Sequence, residues 1–149
     1  MESELKIGQL TKELVAMNLK EVQNPSAVAA GVVRQTIVVA LKSGPSGAQS
    51  IVSDACYGGM QGLLLSDQDL ACGALMILSA VTGGAADIPL SPDDMRRYAI
   101  EGLARIAKFV TGEDLTAIGR VLERRQQGAG QAFSDAVAAH RSAALAAAR

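Results

Sequence analysis

The sequence predicts an all-α fold: one helical domain over residues 1–149, a bundle of five to seven mostly antiparallel helices around a central apolar helical hairpin at about 46–82. Three observations lead there. Apolar residues recur at spacings of three and four nearly throughout, and no window sustains the alternation of two that a half-buried strand needs. Apolar residues make up 49% of the chain and aromatic ones 3%, with no tryptophan, so the core must be filled by Ala, Val, Leu, Ile, Met and Gly, whose small members let helix axes approach closely. Clusters of Ser, Asp, Pro and Gly punctuate the pattern where helices would begin and end.

The first helix is expected from about Ser3 to Val22, with Leu5, Leu10, Leu14, Met17 and Leu19 inward and Lys6, Lys12, Glu13, Lys20 and Glu21 outward. Asn24-Pro25 breaks it, because proline biases its predecessor away from helical angles. From Ser26 to Leu41 the second helix is apolar on nearly every side, interrupted by Arg34, Gln35 and Thr36, which predicts a helix largely enclosed by neighbours. Ser43-Gly44-Pro45 ends it.

A third helix, about Ser46 to Leu64, is amphipathic: Ser50, Asp54, Tyr57 and Gln61 share one face, and Val52, Cys56, Gly59 and Leu63 the other. Gly58, Gly59 and Gly62 do not form a phosphate-binding loop, since no strand precedes them and no Lys-Ser/Thr follows. Inside a helix each glycine costs about 1 kcal/mol relative to alanine, which close packing against another helix must offset; a kink at Gly58-Gly59 is the competing reading.

Ser66-Asp67-Gln68-Asp69 reads as an N-cap with acids in the first turn, and Ser91-Pro92-Asp93-Asp94 and Thr111-Gly112-Glu113-Asp114 repeat the device. The fourth helix, Asp67 to about Thr82, is apolar all round and should lie at the centre, forming a hairpin with the third. Residues 83–90 are the one long connector, the best candidate for a ligand-facing loop.

Pro92 to Val110 follows, burying Met95, Ala99, Gly102, Leu103, Ile106 and Val110, with Arg97, Glu101 and Arg105 as a solvated ladder. Then come Glu113 to Gln127, stopped by Gly128, and Ala129 to about Ala146, packed through Phe133, Val137 and His140, with a fraying tail at about 146–149. GALMILSAVTG (73–83) and GLARIAKFVTG (102–112) share five of eleven positions, but no third copy is visible and no solenoid is inferred.

The formal charge of −1 hides an uneven distribution: residues 43–95 carry six aspartates and no Lys or Arg, while residues 96–149 sum to +4. Arginine is spread over three predicted helices rather than massed, so a charge-complementary bundle is preferred over nucleic-acid binding. MESELKIGQLTKEL lacks the basic start and apolar core of a signal peptide. The longest uncharged run, Leu70 to Ala86, is 17 residues and has no cationic flank, so membrane insertion is not expected. Cys56 and Cys72 are read as reduced thiols of a cytoplasmic protein.

Candidate chemistry is sparse. Two cysteines and one histidine, with no CxxC and no His pair, do not make a zinc set, and Asp67 and Asp69 are followed by Leu70-Ala71-Cys72 rather than by calcium ligands, so no metal and no cofactor is expected. Hydrolysis would need His140 as its base, and His140 falls on the apolar stripe of the last helix, the place of a structural histidine. A redox pair of thiols is disfavoured because apolar burial keeps them protonated.

Arg34 and Asp54 stand out because each interrupts a mainly apolar helix away from any cap, and adjacent helices could place them opposite one another as an ion pair. Tyr57 and Gln61 could complete a polar patch, either the lining of a small pocket or a docking surface for a second subunit. The expected role is a non-enzymatic interaction or assembly module whose expected partner is itself, since a mean hydropathy of +0.22 is high for a soluble monomer. The alternative is a small-molecule binding or sensing domain, with a pocket near residues 54–61 and 72–76 and the 83–90 connector as lid. An enzyme using Asp54 with Tyr57 as an acid-base pair is the weaker third.

Overall fold

The computed structural model describes residues 2–18, 24–43, 47–66, 68–83 and 90–147. Among them lie seven α-helices and no strand: α1 (Glu2–Asn18), α2 (Pro25–Ser43), α3 (Ala48–Leu65), α4 (Leu70–Gly83), α5 (Pro92–Ala104), α6 (Gly112–Arg125) and α7 (Ala129–Ala147). A 3-10 segment, Arg105–Phe109, tightens the end of α5, where a single helix to Val110 was expected. Such tightening lets the Arg105 N–H reach the carbonyls of Gly102 and Leu103 at a helix end.

Two caps stand where the sequence puts them. Ser91 Oγ accepts from Asp94 N at 3.1 Å, with Pro92 opening α5. Thr111 and Asp114 form a reciprocal capping box on α6. The third differs: Ser66 ends α3, and the cap of α4 is Asp69, whose Oδ1 accepts from Cys72 N at 3.1 Å, so α4 starts three residues later than expected. Asp67 and the connector residues 84–89 lie outside the described residues, as do 19–23, 44–46 and 148–149. The last helix runs on through Ala147, past the expected start of fraying.

The helices stack in two rows. α1, α3, α5 and α7 pack in succession, and so do α2, α4 and α6. α1 with α3, α3 with α5, α5 with α7 and α4 with α6 run parallel. Gly8 of α1 lies against Asp54 of α3 and Val15 against Gly62; Gln49 of α3 meets Glu101 of α5, and Asp54 meets Arg105; Thr82 at the end of α4 meets Gln126 at the end of α6. This is the ordering of stacked helical pairs, reached without a sequence repeat. The two similar stretches fall in different rows, 73–83 in α4 and 102–112 across α5 and the 3-10 segment, so their likeness is no structural equivalence.

The glycines of α3 receive neighbours, and the helix is continuous through them. A Cβ on Gly58 would stand 2.5 Å from the Gly8 carbonyl oxygen and one on Gly62 2.6 Å from Val15, both on α1. One on Gly59 would stand 2.5 Å from Val33 of α2. This seating rotates α1 away from its expected phase: Thr11 and Val15 are fully buried, while Leu10, expected inward, is 50% exposed. The leucine stripe loses because the contact must be narrow to use the glycine groove. Thr11 Oγ1 donates to the Ile7 carbonyl at 2.7 Å, which satisfies the buried hydroxyl.

Neither apolar helix is as enclosed as expected. α2 buries Ala29, Ala30, Val33, Ile37, Val38 and Leu41, yet Gly31, Gln35 and Val39 face outward. α4 buries Gly73, Ala74, Ile77, Leu78 and Val81, yet Cys72 is exposed. In a two-row stack a helix of one row always keeps one side outside. Among the described residues, no helix is long and apolar enough to cross a membrane.

Candidate functional site

The polar face of α3 meets the end of α5 at one arginine. Gly102 lies so close to the Ser53 carbonyl and Cys56 that α5 and α3 nearly touch there, and this brings the next turn across the α3 surface. Arg105 Nη1 donates to Asp54 Oδ1 at 2.7 Å and approaches Ser53 Oγ at 3.4 Å. Its guanidinium lies over the Tyr57 ring, 4.2 Å from the centroid, and Lys108 stands 5.4 Å from the same ring. The Asp54 side chain is 16% exposed and that of Arg105 31%, so the pair is partly desolvated.

Arg105 also lines an open groove of about 790 Å³ between α5 and α7. Ile100 and the alanines 132, 136 and 139 give it apolar walls, and His140 faces it from α7. The acids along it are engaged or sit at a helix start: Glu101 accepts from Gln49 at 2.9 Å, Asp135 from Gln131 at 2.9 Å, and Asp93 lies in the first turn of α5. The His140 pKa is pushed below 6.5, first by burial and then by the positive charges of Lys108 and Arg105.

Of the residues singled out in the sequence, Asp54 and Tyr57 come together in this cluster. The cation that reaches Asp54 is Arg105 rather than Arg34, which lies half-buried on α2, and Gln61 lies half-buried one turn beyond Tyr57. The expected solvated ladder of Arg97, Glu101 and Arg105 does not form. Arg97 pairs with Asp94 one turn back on α5 at 3.1 Å, while Glu101 takes Gln49 and Arg105 takes Asp54, partners on α3 that outcompete exposed i,i+4 pairing. Arg105 was therefore missed. Its one sequence signal is Gly102, a helical glycine that marks a close approach.

The thiols part company. Cys56 is fully buried, and burial pushes its pKa up to about 12, whereas Cys72 is exposed on α4. Burial thus accounts for an inert Cys56 but not for Cys72. Met60 is fully buried with Cys56 in the core. A smaller cleft of about 280 Å³ holds Asp69 and Asp114 at the starts of α4 and α6, where both carboxylates serve as caps. Among the described residues, no group of three or more His, Cys, Asp or Glu side chains converges as metal ligands would.

No family model, no curated protein and no solved structure matches this chain.

Proposed function

We propose that this chain is a non-enzymatic helical interaction module that works by self-association, in the cytoplasm. The observation that carries the reading is the outer face of α2. Val39 is 53% exposed, and Val32 and Val28, at helical spacings of seven and eleven before it, are only partly covered on the same side. A valine gains about 1.5–3 kcal/mol when fully buried, and a two-fold contact counts every such residue twice. Two unbridged thiols agree with a reducing compartment.

Light scattering and sedimentation over a concentration series test it. The wild-type mass should rise with concentration, and Val39→Lys should hold the chain at the monomer mass while melting as the wild type does at its lowest, monomeric concentration. A wild-type chain that stays monomeric throughout would end the proposal.

The groove between α5 and α7 favours a second reading, small-molecule binding. Its volume falls within the range of ligand pockets, and it combines apolar walls with a few convergent polar groups.

A further inference from the structure

We infer that the groove between α5 and α7 is a binding site for a small organic acid, with the carboxylate held between Arg105 and His140 and an apolar body lying along Ile100, Ala132 and Ala136. The inference rests on the second reading above and adds the chemical class of the ligand.

The first argument is the state of Arg105. Both of its hydrogen bonds into α3 leave from Nη1, and the face of the guanidinium is covered by Tyr57. A guanidinium carries five donors in a flat fork. Asp54 therefore orients the group and leaves its other edge to meet a second, planar acceptor, for which a carboxylate is the matching shape. Fixing the side chain beforehand lowers the entropy that a ligand would otherwise have to offset.

The second argument is the field at that end of the groove. Arg105 and Lys108 both stand at that end, and the protonated form of His140 is disfavoured first by burial and then by their two positive charges. A neutral imidazole has one N–H to donate. Ser53 supplies a hydroxyl on the same lining. The groove's carboxylates do not compete equally, because Glu101 and Asp135 are each held by a glutamine and Asp93 lies at the far end, beside Arg96 and Arg97.

The third argument is shape. From Arg96 to Arg105 the groove follows α5 for about 13 Å at 1.5 Å per residue. Between them the lining includes Arg97 and Glu101 and, from α7, Asp135, while Ile100, Ala132 and Ala136 supply small apolar groups that leave room for a hydrocarbon body. A bare anion would leave that surface unused, and a neutral hydrocarbon would offer no acceptor to the edge of Arg105 that Asp54 and Ser53 do not take.

His140 is the only histidine in the chain, so its imidazole proton resonance reports the site without assignment. The full-length protein is titrated with sodium octanoate, 1-octanol, sodium acetate and inorganic phosphate, and followed by proton NMR. Octanoate should shift the His140 resonance saturably and raise its titration midpoint, since a bound anion favours imidazolium. Acetate, octanol and phosphate should each bind at least about tenfold more weakly, the loss expected when a charged hydrogen bond or the buried hydrocarbon is missing.

Arg105→Gln should weaken octanoate by a similar factor. Because that change also removes the Asp54 pair, Ala136→Leu serves as the second variant: it fills the groove, leaves Arg105 untouched and should abolish the shift. Failure of all four probes to move the resonance would overturn both the groove reading and the ligand class. Octanol or phosphate binding as well as octanoate would keep the groove as a site and overturn the organic acid.

Discussion

An arginine held at once by a carboxylate, a hydroxyl and an aromatic face has little freedom left, and Arg105 is in that position. Removing Asp54 strands a partly desolvated cation. Asp54→Ala is therefore expected to cost about 1–2 kcal/mol, the lower part of the range for an unpaired polar group because Arg105 keeps some access to water. Urea unfolding checks it, and an unmoved midpoint would mean that the pair adds nothing. Glu123 is a second such residue. Its carboxylate accepts from the backbone N–H groups of Gly128 at 2.8 Å and Gly130 at 3.1 Å, tying the end of α6 to the start of α7. These bonds, Gly128 first, hold its pKa below the ordinary 4.5. A carboxyl depressed in the folded state stabilises above its unfolded pKa and loses that contribution as pH falls through the folded value. Glu123→Gln should thus lower the melting temperature at pH 7, and the gap to wild type should close on acidification below about pH 4.5. A gap independent of pH would refute the charge-based account. Asp54 and Tyr57 were legible because they break an apolar pattern. Arg105 and Glu123 were not, because a charged residue on a helix surface looks the same whether its partner is water or a distant backbone.

At the scale of elements, glycine decides which helices touch. The Cβ that Gly58→Ala adds would collide with the backbone of Gly8, which cannot move without shifting α1. Alanine's helix propensity returns about 1 kcal/mol, but overpacking costs about 1–3 kcal/mol, and the rigid backbone contact places this site at the upper end. Gly31, in the exposed part of α2, has nothing within 4 Å of the same added atom. Gly31→Ala should stabilise by about 0.5–1 kcal/mol. Chemical denaturation of the two variants, made side by side, should give opposite signs. Equal effects would show that the α1–α3 contact is looser than it looks. The sequence already announced that α3 must be approached closely somewhere, since three glycines within one helix need a reason. It did not say by which helix, and the expected inward leucines of α1 gave way to Thr11 and Val15 for that cause.

Across the whole molecule, each helix is stabilised chiefly by the next one in its row and by its chain neighbours. α3 packs against α1, α2, α4 and α5, whereas α7 has α5, α6 and the 3-10 segment. Opening free energies should follow that ordering. Native-state amide exchange is expected to be slowest in α3, faster in α1 and fastest along the second half of α7. Uniform exchange throughout would mean that the stack opens only as a unit. The row arrangement also explains why α2 and α4 read as buried all round yet keep an open side. Hydrophobicity records a preference for cover, and a stack of rows ends at an outer surface. On α2 that surface leaves Val39 half exposed, and between α5 and α7 the open side is the groove.

By itself the sequence determined the helices, two of their caps, the buried and polar faces of α3, and the tight approach its glycines demand, all of which follow from local geometry and from spacing along one chain. The tertiary structure alone decided that alternate helices pack in two rows, that Thr11 rather than Leu10 faces inward, and that Asp54 meets Arg105. Periodicity marks which side of a helix wants a neighbour, but the identity of that neighbour depends on contacts some fifty residues apart, and no local pattern encodes those.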